Sequence, residues 1–325
     1  MAQYGNWLGL LKWSLKQGQQ GDGTIDRDDV TPMNEEDKAF LEAVMKECVK
    51  DEPTRMQEII KRFTEILDAQ EEEIADEELG FLLDELRDMI EQIDMSKVFT
   101  KFGGLTSVLM LLASNKCGSE NREMAASVIG AIAQNNLEVQ DEMYKMKTFH
   151  KLIDIFTDLT TDNYPMSIRA QCIYALSCVI RGHAAAEATF CNEYAQVVCH
   201  ACLASKHSTL IRRIVFLCKA LISSDTSDET RKQRLSGYLL PHILTCITCD
   251  DVDLREGTLL LLTSVVEKEK KNANDVFSST STIGKYKKEI EVALKARAEC
   301  KIEDSEFSSQ EESEQQLVKH LLSLL

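Results

Sequence analysis

Two Cys-x-x-Cys pairs, Cys199/Cys202 and Cys246/Cys249, with His200, His207 and His242 nearby, are the residues of this 325-residue chain whose spacing best suits chemistry. Brought together, two such pairs would hold zinc in a tetrahedral thiolate site, and one alone can cycle between dithiol and disulfide. Their surroundings point away from both. Each pair lies in an apolar helical pattern, where thiols at i and i+3 share a face and pack as small hydrophobes. No glycine-rich knuckle surrounds them and no strand precedes them, so no metal and no redox role is expected. The sequence also lacks a G-x-x-x-x-G-K phosphate loop, G-x-G-x-x-G, H-E-x-x-H and G-x-S-x-G. The expectation is a non-enzyme with no cofactor, whose work is binding.

Composition bounds what it binds. Net charge is −17, and from Glu35 to Asp94 there are 21 acidic against 7 basic residues, so phosphate backbones are poor partners. No apolar run approaches the length needed to cross a bilayer. The eleven cysteines are an odd number, mostly inside apolar patterns, and "MAQYGNWLGLLKWSLK" lacks the features of a secretion signal. Reduced, buried thiols are expected, and with them a cytoplasmic location that extends to the nucleus.

The elements that position these residues are helices. Gly and Pro number only 14 and 4, and no alternating β-branched run stands between turn signals. Residues 17–34 are polar and Gly-rich and read as a linker behind a Leu/Trp-rich start. Residues 35–94 hold acidic helices, one after Pro53 with Met56, Ile59, Ile60, Phe63 and Leu67 on a face. The next carries Leu79, Leu82, Leu83, Leu86, Met89, Ile90 and Ile93 at helical spacing. From Asp94 the pattern repeats. "NREMAASVIGAIAQNN", "SIRAQCIYALSCVIRG", "TLIRRIVFLCKALISS" and "DLREGTLLLLTSVVEK" each open near an Arg. Aligning them equates Gly130, Ser177, Lys219 and Thr263, at separations of 47, 42 and 44 residues. A shorter apolar helix precedes each.

A period in the low forties with two or three helices per unit is the signature of armadillo or HEAT repeats. The expected fold is all-α, an armadillo/HEAT-like α-solenoid of about four repeats with N-terminal capping helices and flexible terminal segments. Its divisions are 1–34, 35–94, 95–270 and 271–325. In the last of these a closing helix is expected from Ile283 to Glu299, and "KIEDSEFSSQEESEQQ" reads as disordered. "LVKHLLSLL" is left open between a docked helix and a frayed end. Such a solenoid without catalytic motifs offers a binding surface, usually its concave face.

The start, "YGNWLGLLKWSLKQG", has three readings from composition: a helix docked on the solenoid, a weak membrane-surface anchor, or a tethered ligand for a partner's apolar groove.

"IGAIAQNN" resembles the most recognisable stretch of the cytosolic heat-shock-protein-70-binding proteins, which are armadillo-type nucleotide exchange factors. "LRDMIEQIDMSKVFTKFGGL" resembles that family's helix, turn and Gly-Gly-Leu entry, with Met95-Ser96 where the family has Asn-Ala. "RAQCIYALSCVIRGH" and "LLKWSLKQG" resemble its second long helix and its N-terminal segment. The resemblance runs over most of residues 8–270.

It implies a co-chaperone that grips lobe II of the chaperone's ATPase domain and promotes ADP release, with the chaperone as partner and the protein itself a monomer. It also implies that Trp7, Leu8, Leu10, Leu11, Trp13 and Leu15 mimic a substrate in the chaperone's peptide groove. Partner contacts then fall to Gln134, Asn135, Asn136, Arg181 and Arg213. Arg181 lies 47 residues after Gln134, and at Arg213 the family has a basic residue. For the two Asn, a helix-capping role competes with contact, and one residue can do both. The alternative function is an armadillo adaptor for an extended peptide. Such grooves carry Asn and Trp ladders, and here the two Trp, Trp7 and Trp13, lie outside the repeats.

Overall fold

Apolar residues at helical spacing become buried stripes along almost every segment that the computed structural model describes, namely residues 38–39, 52–69, 76–158, 164–224, 229–272, 281–299 and 308–325. Contacts divide the chain into two units, 1–61 and 62–325. In the first, residues 38–39 are helical and helix α1 (Glu52–Asp68) begins, with Met56 and Ile59 buried and Arg55 paired to Glu58 at 2.9 Å.

In the second unit, α2 (Asp76–Ile90) opens with Asp76, Glu77 and Glu78 on its positive N-terminal end and buries Leu79, Leu82, Leu83, Leu86, Met89 and Ile90. Arg62 forks onto Glu78 at 2.6 and 2.9 Å. Ile93, expected on the same stripe, is instead exposed, because α2 ends at Ile90 and a new helix starts there.

Four repeats follow. The first is α3 (Ile93–Lys101), α4 (Gly104–Ala113) and α5 (Ser119–Ala133). The second is α6 (Leu137–Lys145), α7 (Thr148–Thr157) and α8 (Met166–Ile180). In the third, α9 (Ala184–Thr189) runs through a π turn (Phe190–Tyr194) into α10 (Ala195–Ala204), followed by α11 (Ser208–Ser223). In the fourth, α12 (Glu229–Ile243) tightens into a 3-10 turn (Leu244–Thr248) just after Pro241, before α13 (Val252–Asn272). Helices α14 (Thr282–Glu299) and α15 (Ser308–Leu324) close the C-terminal end.

The long helices α2, α5, α8, α11 and α13 pack side by side in sequence, and α4, α7 and α10 back α5, α8 and α11. This is the all-α solenoid that the repeat period predicts, with one core running between two helix layers. The Arg that opens each long helix has a structural task. The buried Arg122 donates to Leu112 O at 3.0 Å, Arg169 to Phe156 O at 3.2 Å and Arg255 to Cys249 O at 2.7 Å. Each satisfies carbonyls left open where the preceding short helix or turn ends. Arg212 departs from the pattern and pairs with Asp253 at 2.6 Å.

The structure corrects the reading of the tail. From Ser308 the chain is helical, and α15 packs on α13 and α14 with Val318 and Leu321 fully buried. Glu314 is buried too, its Oε1 3.1 Å from Arg255 Nε and 2.5 Å from Arg297 Nε. Acidic, Ser-rich composition hid this stripe, because one of its members is a carboxylate that reads as solvated until its two arginines are seen.

Candidate functional site

Of the Cys-x-x-Cys residues, Cys199, Cys202 and Cys246 are buried and Cys249 is half-buried. Cys199 and Cys202 are buried on α10, with the Cys199 sulfur 3.7 Å from that of Cys218 on α11. Burial pushes the Cys202 and Cys218 thiols well above their ordinary range and Cys246 to about 11, so the reactive thiolate is scarce at neutral pH. His200 and His242 are exposed on the border of a groove of about 520 Å³ that Cys246 and Cys249 also line, and His207 is exposed outside it. Among the described residues no three His, Cys, Asp or Glu side chains are grouped to hold a metal ion. Nor is any described helix long and apolar enough to cross a membrane.

The stretch after α5 divides its tasks among three amides. Gln134 leaves the helix in extended conformation (φ −64, ψ 120), exposed. Asn135 takes φ 56, the left-handed conformation that Asn tolerates better than most residues. Asn136 caps α6: its Oδ1 accepts from Val139 N at 3.4 Å and its Nδ2 donates to Ile93 O at 3.3 Å.

The next repeat makes the same turn with other residues. Arg181 is extended (φ −63, ψ 125), Gly182 takes φ 82, and His183 caps α9 by accepting from Ala186 N through Nδ1 at 3.1 Å. Gln134 and Arg181 are thus equivalent in backbone as well as in spacing. Buried side chains tie these turns to the neighbouring repeat. Gln140 donates to Cys178 O and Arg181 O at 2.6 and 3.0 Å, and Glu187 accepts from Gly182 N and Ser224 Oγ at 2.9 and 3.0 Å.

Of the residues expected to meet a partner, Gln134 and Asn135 are exposed, Arg181 and Arg213 are half-buried, and Asn136 is buried with its amide engaged inside the fold. Trp7, Leu8, Leu10, Leu11, Trp13 and Leu15 lie outside the described residues.

Two aromatic residues that sequence reading missed organise the arginines. The Arg181 guanidinium stands 4.9 Å from the Phe216 ring centre, and that of Arg213 stands 5.8 Å from the Tyr174 ring centre. Both distances are within reach of cation–π attraction. Arg213 also donates to Ala170 O and, at 2.9 Å, to Gln171 Oε1. Arg181 donates to Ser177 O at 3.4 Å. The Tyr174 hydroxyl donates to Gln134 Oε1 at 3.4 Å.

Burial pushes Arg213 down from its ordinary value, while Glu123 and Tyr174 favour its charge. Burial also pushes the Tyr174 hydroxyl up and Cys178 beside it adds to that, whereas Arg87 and Arg181 pull it down. Phe216 is 54% exposed, a large apolar surface left open on a long helix. Tyr174 and Phe216 are 42 residues apart, the same interval as Ser177 and Lys219, so the repeat alignment carried this signal unread.

Two family models match the chain. The SIL1/FES1/HPBP1 C-terminal domain matches residues 95–238, and the nucleotide exchange factor Fes1 domain matches residues 8–98. The Hsp70 nucleotide exchange factor FES1 of Scheffersomyces stipitis is 24% identical over 241 residues, covering 74% of this chain and 78% of that protein. The protein of the same name from Saccharomyces cerevisiae is 27% identical over 175 residues, covering 54% and 55%. Among solved structures, a designed armadillo repeat protein in complex with the peptide (KR)4 aligns with a TM-score of 0.60 at 13% identity. That alignment covers 84% of this chain and all of the designed one, and it is a likeness of fold.

Proposed function

The chain belongs to the SIL1/FES1/HPBP1 family, its two family matches together spanning residues 8–238, and from that premise we propose that it is a co-chaperone, a nucleotide exchange factor for an Hsp70 chaperone. The long-helix layer and the turns at its helix ends grip lobe II of the chaperone's ATPase domain. Gln134, Asn135, Arg181 and Arg213 meet that surface, and Asn136 holds the turn that presents Gln134 and Asn135. The grip is compatible with separated ATPase lobes and incompatible with lobes closed around ADP. Preferential binding to the open form lowers ADP affinity by the same factor that ADP lowers affinity for the exchange factor. No bond is made or broken by this protein. The segment 1–34, with Trp7, Leu8, Leu10, Leu11, Trp13 and Leu15, occupies the chaperone's peptide groove so that released clients do not rebind. The protein acts as a monomer in the cytoplasm.

The observation that carries this reading is the two pairs Arg181/Phe216 and Arg213/Tyr174, both bridging α8 and its end to α11, in a chain of this family. Arg and aromatic residues are the types enriched where proteins meet. The test is stopped-flow release of a fluorescent ADP from a cytosolic Hsp70, with the full chain and with a version lacking residues 1–34. The reading expects accelerated release with both, and slower client rebinding with the full chain alone. An unchanged release rate with both would overturn it in favour of an armadillo adaptor.

A further inference from the structure

A groove of about 380 Å³ lies where α2 approaches the turn after α5, bordered by Arg87, Glu91, Gln134, Asn135, Asn136 and Tyr174. Arg87 is exposed and has no hydrogen-bond or ion-pair partner among the described residues, which sets it apart from Arg122, Arg169, Arg212, Arg213 and Arg255. Arg213 lies over the Tyr174 ring and Arg181 over the Phe216 ring, and each also donates to a backbone carbonyl. Arg87, Arg181 and Arg213 thus all lie near Tyr174, with Glu91 on the groove wall, Glu123 acting on Arg213, and Asp84 and Asp88 on the helix of Arg87, in a protein of net charge −17. Gln134 accepts the Tyr174 hydroxyl through Oε1, which leaves its Nε2 as a donor on the groove wall.

We propose that this groove receives a carboxylate side chain of the chaperone's ATPase domain. Arg87 forms the ion pair, Gln134 Nε2 donates a hydrogen bond, and Arg181 and Arg213 add a fixed positive field. The inference rests on the exchange-factor reading and deepens it: Arg87 joins the contact residues, and the chemistry of the partner's surface at this point is acidic. A planar guanidinium with free donors matches a carboxylate's two oxygens, and a partly enclosed groove shields the pair from salt better than open surface does. Gln134, neutral where the next repeat carries Arg181, keeps the groove from presenting a fourth cation beside Arg87.

The experiment measures equilibrium binding of full-length Arg87→Glu, Arg87→Ala and Arg87→Lys variants to ADP-loaded full-length Hsp70, at low and high salt, beside ADP-release rates. Thermal melts of the variants check the fold. Charge reversal is expected to weaken binding by about tenfold or more, Ala by less, with Lys nearest the wild type. Affinity of the Ala variant should also fall less steeply with salt. Among Asp/Glu→Lys variants of the ATPase domain, at least one that binds the wild type poorly should regain affinity for Arg87→Glu. Equal affinity of wild type and Arg87→Glu, with ADP release still accelerated, would overturn this inference and leave the exchange function standing. Failure of the wild type to bind or to accelerate release would overturn both.

Discussion

A Cβ built on Gly130 would lie 2.5 Å from the Tyr174 ring and 3.2 Å from the Ala175 backbone. Helices α5 and α8 therefore approach as closely as they do because residue 130 has no side chain, and that approach sets the Tyr174 hydroxyl beside Gln134.

Gly130→Ala should accordingly destabilise the protein. On an open helix surface the change would add about 1 kcal/mol of stability. Here overpacking against a ring and a backbone costs about 1–3 kcal/mol instead. A chemical denaturation curve reads the sign. The same variant should bind Hsp70 more weakly, because Tyr174 must move.

Asn136 and Gln134 separate capping from contact. Asn136→Ala removes the α6 cap and the side-chain bond to the Ile93 carbonyl, a loss of about 0.5–2 kcal/mol by denaturation. Gln134→Ala should leave stability within about 0.5 kcal/mol of wild type, since the residue is exposed. Its effect should appear in Hsp70 affinity. Asn135→Gly should be tolerated in stability, as Gly182 already is at the equivalent turn, whereas Asn135→Val should cost about 1–2 kcal/mol in the left-handed region.

Glu314 makes the C-terminal end acid-sensitive. Burial alone would raise its carboxyl, but the Arg297 and Arg255 contacts overcome that and hold it below the ordinary carboxylate value. A folded value below the unfolded one means that the ionised form favours folding. The stabilisation is therefore fully present above the ordinary Glu value and is lost as pH falls through the depressed one. Glu314→Gln should flatten the loss of stability on acidification in that window. At neutral pH it should destabilise by about 3–5 kcal/mol, because it leaves two buried guanidinium groups without a counter-charge. Melting curves across an acid series check both.

The helical periods and the repeat spacing made the architecture readable, because each helix buries a stripe of apolar residues and each repeat buries the next. The function was approached through the family resemblance of stretches such as "IGAIAQNN", and the repeat alignment added the equivalence of Gln134 with Arg181. What sequence could not separate was cap from contact at Asn135 and Asn136. That depends on backbone φ and on which carbonyl lies across the turn. Tyr174 and Phe216 were passed over because an aromatic in an apolar stripe reads as core, and only packing reveals that Phe216 faces outward. Glu314 was missed for the converse reason, a charge that packing turns inward.

The most direct test of the central claim uses the double variant Arg181→Ala/Phe216→Ala, which removes one cation–aromatic pair from the long-helix face and leaves the buried side chains of α8 and α11 in place. Stopped-flow ADP release from Hsp70 would be compared between the wild type and this variant at equal concentration. The account predicts that the wild type accelerates release and that the variant, folded by its melting curve, loses most of that acceleration. Full acceleration by the variant would contradict the assignment of this face to the chaperone.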